Sequence, residues 1–420
     1  MKRKLCAYIL GGCLAAGTLG CGSASGDGAT DLTESYRREA KDNEIRESSE
    51  EFKKAYTEFA VALLSGGRSG REGENTMVSP LSVMTALEMT RAGAAGDTLA
   101  EMDQTLYSGM MAAKGKEELM TFANRLPNTN KARFHMADSV WFRDDAERFV
   151  PDENFLRTEA EEYDASVFSA AFDADTCDTI NQWVSRETDG MVPEIVEQIP
   201  EDAVMYLVNA MAFQGEWEEV YRENQLGPAE FTCADGSTAE ITMMYGEEQT
   251  YLENEDAAGF VKPYKDGYAF AALLPRGDLS LDEYLGTLDA ETFLGLLAGA
   301  SDEKVETGLP KFTAETGLEL SELLSEMGMP LAFDVQNADF SVMGSCPNGE
   351  NICISRVLHR TYIDVNETGT KAAAAAVVEM IAGYALSEEP KRVILDRPFV
   401  YAIIEEESGL PVFIGTVEAL

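Results

Sequence analysis

The chain has 420 residues, of which 45% are hydrophobic and 26% charged. That is ample for a large core, built as one multi-sheet unit or as two domains. Its 75 acidic side chains against 33 basic ones give a formal net charge of −42, a field that repels phosphate backbones and sulfated sugars, so neither nucleic acid nor a heparin-like polyanion is expected as a partner.

Met1 to Gly20 reads as an export signal: Lys2, Arg3 and Lys4 precede an apolar run from Leu5 to Leu19 that glycines interrupt and that is too short for a stable membrane span. Its removal strips three positive charges and takes the net charge from −42 to −45. Thr18-Leu-Gly-Cys21 resembles a bacterial lipobox, with Cys21 as the lipid-bearing residue. Leu10-Gly-Gly-Cys13 competes, but leaves a very short apolar run. The expectation is an exported protein held by its lipid on the outer face of a bacterial cell membrane. Residues 21–47 then read as a flexible acidic tether, Gly/Ser/Asp-rich at first and mixed in charge afterwards, and 48–420 as the folded domain.

Ser48-Ser-Glu-Glu51 has the pattern of a capping box. Phe52, Tyr56, Phe59 and Leu63 fall on one face of the helix it opens, ahead of Gly66-Gly67. Ser79-Pro80 starts a second helix, and Leu81 to Ala92 is apolar nearly all round, so that helix is buried and the Ser79 and Ser82 hydroxyls need interior partners. Gly93 to Asp97 breaks the chain before another helix. Ala137-Asp-Ser-Val-Trp-Phe142 reads as a strand, Pro151 onward as a helix, and Thr179 to Asp189-Gly190 as an amphipathic helix with Ile180, Trp183 and Val184 inward. Val204 to Phe213 is apolar apart from Asn209, the pattern of a central strand covered on both faces. Lys262 to Pro275 is a hairpin turning at Asp266-Gly267, Leu318 to Met327 a helix ending at Gly328, and Val400 to Ile404 and Val412 to Val417 alternating strands. Helices and strands mix without a βαβ rhythm, so the class is α+β.

The chain offers no convincing catalytic centre. Only His135 and His359 are present, and there is no Gly-x-Ser-x-Gly elbow, no His-Glu-x-x-His and no phosphate-cradling glycine loop. No enzyme activity, metal or cofactor is expected. Of seven cysteines, Cys6 and Cys13 leave with the signal and Cys21 carries lipid. Cys346 and Cys353 bracket a Pro-Asn-Gly turn, either as a hairpin disulfide or as two half-buried thiols; Cys177 and Cys233 are the others.

One stretch remains, Asp364 to Leu386. Its Ala372 to Ala376 run has the highest helix propensity available, while Tyr362 to Val365 is strand-like. Laid out as a strand, it points Thr370, Ala372, Ala374, Ala376 and Val378 one way, all small or apolar, and keeps the Lys371 and Glu379 charges at the ends of the other face. Such a strand can enter a buried slot, with Gly369 as a pivot. An ordinary surface helix fits the same residues.

The flanking sequence resembles the serpin family. Glu367-Thr-Gly-Thr-Lys-Ala-Ala-Ala-Ala is similar to that family's reactive-loop hinge, and Val393-Ile-Leu-Asp-Arg-Pro-Phe-Val-Tyr-Ala-Ile403 to its C-terminal signature. Asn75-Thr-Met-Val-Ser-Pro-Leu-Ser82, Leu207-Val-Asn-Ala-Met-Ala-Phe-Gln-Gly-Glu-Trp217, Leu309-Pro-Lys-Phe312 and Ala338-Asp-Phe-Ser341 follow further family blocks in the family's order. The resemblance implies a fold of three β-sheets and about eight or nine helices with an exposed reactive-centre loop at about 367–392. It implies hinge roles for Glu367, Gly369, Thr370, Ala372, Ala374 and Ala376. It also implies that Ser79, Ser82, Asn209 and His359 meet beneath the main sheet and govern its parting, and that Trp217 stands where the loop first enters.

The activity implied is irreversible inhibition of a serine protease, the partner being held as a covalent acyl-enzyme by a monomeric inhibitor. Counting as inhibitory members do puts the scissile bond at Gly383-Tyr384, with Ala382 beside it. An interval to Pro398 about four residues longer than in several members widens this to Met380 through Leu386. Gly383 or Ala382 suggests an elastase- or subtilisin-like target, and Tyr384 or Leu386 a chymotrypsin-like one. The alternatives are a non-inhibitory binding or carrier protein of the same fold on the cell surface, and a surface adhesin. The hinge positions that would face inward, Thr370, Ala372, Ala374 and Ala376, have none of the bulky, charged or proline residues that mark non-inhibitory members.

Overall fold

The computed structural model describes residues 28–37, 47–370 and 391–420. Among them are nine α-helices, three large sheets and a small ribbon of Val150–Pro151 with Gly344–Ser345. The main sheet runs Ala29–Asp31, Ser166–Ala170, Ala132–Arg143, Met205–Glu216, Gly369–Thr370, Arg356–Asn366, Phe312–Glu319. The second has six strands, Thr76–Val78 through Pro411–Val417, Phe399–Glu405, Tyr268–Pro275 and Ala257–Pro263 to Thr250–Glu253; the third has four, Lys391–Ile394, Val305–Pro310, Thr238–Glu248 and Leu226–Thr232.

The central strand Met205–Glu216 explains its own composition. Every residue from Met205 to Phe213 is buried, because the helix Ala174–Glu187 covers one face with Ile180, Trp183 and Val184 against Ala137, Trp141, Tyr206, Val208 and Ala210, while the main core closes the other. Burying side chains of that size stabilises by roughly 1.5–3 kcal/mol each. The helix Pro80–Arg91 lies under the sheet, capped by Ser79 with proline at its first turn and buried from Pro80 through Thr90. The Asp266-Gly267 turn has positive φ at both residues, +62° and +93°, as a two-residue hairpin turn requires.

Four expectations give way. Within the 21–47 stretch read as tether, Ala29–Asp31 is an edge strand on Ser166–Ala170. Thr33 is buried there, donating to Ala165 O at 3.1 Å, and Arg37 pairs with Asp31 at 3.0 Å. The first helix is Glu50–Arg68 and runs through Gly66-Gly67. These glycines are sites of close approach: a Cβ on Gly66 would stand 2.0 Å from Leu323, and one on Gly67 2.9 Å from Leu318. Its cap is Ser49, accepting from Phe52 N at 3.2 Å, and the carboxylate that closes the box comes from Glu118, not Glu51. The Leu318 to Met327 helix shrinks to Ser321–Glu326, because Leu318 and Glu319 continue the preceding strand opposite His359 and Leu358.

Candidate functional site

The main sheet has two different ends along one seam, between the central strand Met205–Glu216 and the strand Arg356–Asn366. At the lower end these strands pair directly and in parallel, Arg356 to Tyr362 on Tyr206 to Ala212. At the upper end Gly369–Thr370 stands between them, Gly369 opposite Glu216 and Asn366, Thr370 opposite Gly215 and Val365. The chain after Asn366 therefore turns back into the sheet and begins a strand there.

Residue size decides what fits at that upper entrance. Gly369 has φ +145°, and a Cβ would lie 1.9 Å from Gly215 O, so glycine alone is accommodated. Thr370 is fully buried and its hydroxyl meets Tyr264 Oη at 2.8 Å. The Tyr264 ring stacks on Trp217 at 4.1 Å. Trp217 in turn donates its indole N–H to Asn366 O at 2.8 Å and its backbone N–H to Thr368 O at 3.0 Å. Glu367 pairs with Lys311 at 2.5 Å, which holds its carboxyl below the usual range. Beneath Trp217 lies a buried ion pair, Lys262 Nζ to Glu248 at 2.8 Å, with the ammonium 4.4 Å from the Tyr221 ring and 5.3 Å from Trp217. Burial raises the Glu248 carboxyl, and Lys262 opposes that rise.

The lower end is a polar network inside apolar surroundings. His359 Nδ1 meets Asn209 Oδ1 across the seam, and Ser79 N–H donates to His359 Nε2 at 3.1 Å. Those two bonds together assign a neutral ring with its proton on Nδ1, and burial drives His359 down to about 3. The Asn209 amide donates to Ser82 Oγ and to Asp138 Oδ1, and Ser82 Oγ donates to Asp138 Oδ1 at 3.0 Å. Ser79 Oγ donates to Val412 O at 2.9 Å. Asp138 Oδ2 is sealed from solvent and finds no partner among the described residues, and burial pushes this carboxyl up to about 8, against the Ser82 and Asn209 hydrogen bonds. One buried cluster thus ties both sides of the seam to the helix beneath.

Ser79, Ser82, Asn209 and His359 come together, and Glu367, Gly369 and Thr370 gather around Trp217. Ala372, Ala374, Ala376, Ala382, Gly383, Tyr384 and Cys21 lie outside the described residues. Sequence reasoning passed over Asp138, Tyr264, Lys262, Glu248 and Lys311. The first had a signal: it is an acid in an otherwise apolar or small strand segment. Cys346 and Cys353 are free thiols, the latter raised by burial to about 11. Among the described residues no group of three or more His, Cys, Asp or Glu is placed to hold a metal.

A family model described as Serpin (serine protease inhibitor) matches residues 54–420. Serpin-Z2B of Triticum aestivum is 30% identical over 380 residues, covering 86% of this chain and 94% of its own length. The leukocyte elastase inhibitor of Bos taurus is 30% identical over 389 residues, covering 88% and 100%. Of solved structures, the thermophilic serpin tengpin matches in its native state with a TM-score of 0.87 at 38% identity, covering 93% of this chain and 100% of that one. In its latent state it matches with 0.77 at 38%, covering 90% and 100%.

Proposed function

The chain belongs to the serpin family, and on that premise we propose that it is an irreversible suicide-substrate inhibitor of serine proteases. The observation that carries the proposal is the seating of Gly369 and Thr370 as the first two residues of a new strand between Gly215-Glu216 and Val365-Asn366. The better match to the native than to the latent form of tengpin supports a state in which most of the insertion is still to come.

The protease docks on the loop, and its serine oxygen attacks the carbonyl of the scissile peptide. The C–N bond breaks, the new amino terminus leaves with the proton, and an ester joins enzyme to the hinge side of the loop. That side then continues the strand begun at Thr370. About fifteen residues, Gly369 to Gly383, span roughly 50 Å at about 3.3 Å each, which drags the enzyme along the body. Each new ladder hydrogen bond nets about 0.5–1.5 kcal/mol, so a dozen supply on the order of 10 kcal/mol to distort the acyl-enzyme before water releases it.

The scissile bond is proposed at Gly383-Tyr384, within Met380 to Leu386, for an elastase-, subtilisin- or chymotrypsin-like target. The inhibitor acts as a monomer, attached through lipid on Cys21 to the outer face of a bacterial membrane. Mixing it with elastase, subtilisin, chymotrypsin and trypsin and running denaturing gels tests the reading. A covalent band with one of the first three supports it, and clean cleavage by all without such a band overturns it.

A further inference from the structure

Around the strand Lys391–Ile394, arginines gather in a chain that is otherwise strongly acidic. A cavity of about 330 Å³ is lined by Arg276, Arg392 and Arg397, by Asp396, and by the apolar Leu274, Val393 and Ile394. Two of the guanidiniums are already oriented. Arg276 donates to Ala257 O at 3.1 Å and to Glu253 at 2.6 Å; Arg397 donates to Pro275 O at 2.8 Å and pairs with Asp396 at 3.2 Å. Arg392 has no ion-pair or hydrogen-bond partner among the described residues, although Glu306 lies opposite it in register. Lys391 shares Glu253 with Arg276, at 3.6 Å.

Arg276, Lys391, Arg392 and Arg397 thus stand around three carboxylates, Glu253, Asp396 and Glu306, where the chain as a whole carries 75 acids to 33 bases. Fixed like charges repel unless a counter-charge sits among them, and planar guanidiniums match the oxygens of phosphate and carboxylate. Leu274, Val393 and Ile394 supply apolar surface beside the cations, and the volume falls within the range of small-molecule sites. We propose that this cavity binds a small organic anion, a phosphate or carboxylate head group on a short apolar body, with the head between Arg392 and Arg397 and the body against Leu274 and Ile394.

Occupancy has a structural consequence. Among the described residues the strand Lys391–Ile394 is an edge strand, paired with Val305–Pro310 over four residues. An anion shared by Arg392 and Arg397, whose guanidinium donates to Pro275 O, ties it to the second sheet as well, which fixes the chain at Lys391. The binding itself does not depend on the inhibitory reading.

The probe is phenyl phosphate, titrated calorimetrically into the full-length protein at constant ionic strength, with inorganic phosphate and sodium chloride as comparison arms. One saturable site is expected, at least tenfold tighter for phenyl phosphate than for inorganic phosphate. Arg392→Gln with Arg397→Gln should weaken it at least tenfold while circular dichroism and the thermal midpoint stay unchanged. Leu274→Ala should cut the preference for the phenyl group and leave inorganic phosphate binding alone. Undiminished binding in the double variant overturns the site, equal affinity for the two phosphates overturns the amphipathic ligand class, and no saturable heat overturns both.

Discussion

The two ends of the seam in the main sheet are governed by different physics. At the top, the barrier is steric: glycine, threonine and stacked rings leave room for small side chains and none for large or charged ones. At the bottom, the barrier is polar: seven residue pairs and a buried network through His359, Asn209, Ser82 and Asp138 must be broken before the strands part. On the proposed mechanism, the top selects what enters and the bottom sets how readily entry proceeds. A change at the top should act on the outcome of loop cleavage, and a change at the bottom on the lifetime of the uncleaved form.

The largest effect is expected at the entrance. Thr370→Arg puts a cation where Thr370 is fully buried against Tyr264, at a cost of several kcal/mol. The covalent band should vanish while the loop remains cleavable; an undiminished band would break the assignment of Thr370 as gate. Next comes the base of the seam. Asn209→Ala strips His359 Nδ1 of its partner and removes a donor from Ser82 Oγ and Asp138 Oδ1, at about 1–3 kcal/mol. Intact Asn209→Ala protein should lose inhibitory capacity on warming severalfold faster than the parent, and equal lifetimes would shift the brake elsewhere.

Titration sharpens the comparison, because the lower end holds a buried acid and a buried imidazole, Asp138 and His359, displaced in opposite senses. Asp138 stands at about 8 when folded against about 3.9 unfolded; the folded state holds the extra proton, and stability falls as pH rises from about 4 to about 8. His359 stands at about 3 against about 6.5 unfolded. Here the unfolded state holds the extra proton, and stability falls as pH drops below about 6.5. Between about 4 and 6.5 the two oppose each other, and above 6.5 Asp138 acts alone of the pair. Glu88, Glu159 and Glu248, also raised by burial, act in its direction. Asp138→Asn should therefore flatten, without abolishing, the fall in thermal midpoint between pH 6.5 and 8; an unchanged slope would remove Asp138 from the account. The smallest effect is expected from Lys311→Gln. Its pair with Glu367 is about one-third exposed at both partners, so its loss should cost below about 1 kcal/mol. It should raise the fraction of inhibitor cleaved without trapping only slightly.

The lower end was more legible in sequence than the upper. Asn209 is the lone amide in a ten-residue apolar run, and Ser79 and Ser82 are hydroxyls on a helix with no solvent face; a polar group in such a place must have a partner, and the partners are there. Asp138 stayed hidden because a lone acid in a short strand reads as solvent-facing until its neighbours in space are known. Tyr264 and Lys262 stayed hidden for the same reason: their roles come from stacking under Trp217 across two sheets, which no local pattern carries. The edge strand Ala29–Asp31 is too short for periodicity, and Thr33 and Arg37 hold it through tertiary contacts. Leu318 and Glu319 show the same override, a helix-like pattern drawn into a strand by pairing with His359 and Leu358.

The most direct test compares the thermal unfolding of the intact protein with that of the same protein nicked once in the loop. Completion of the strand that Gly369 and Thr370 begin should raise the midpoint of the nicked form by tens of degrees and protect its severed segment from further digestion. An equal or lower midpoint, with the segment still digestible, would contradict the account.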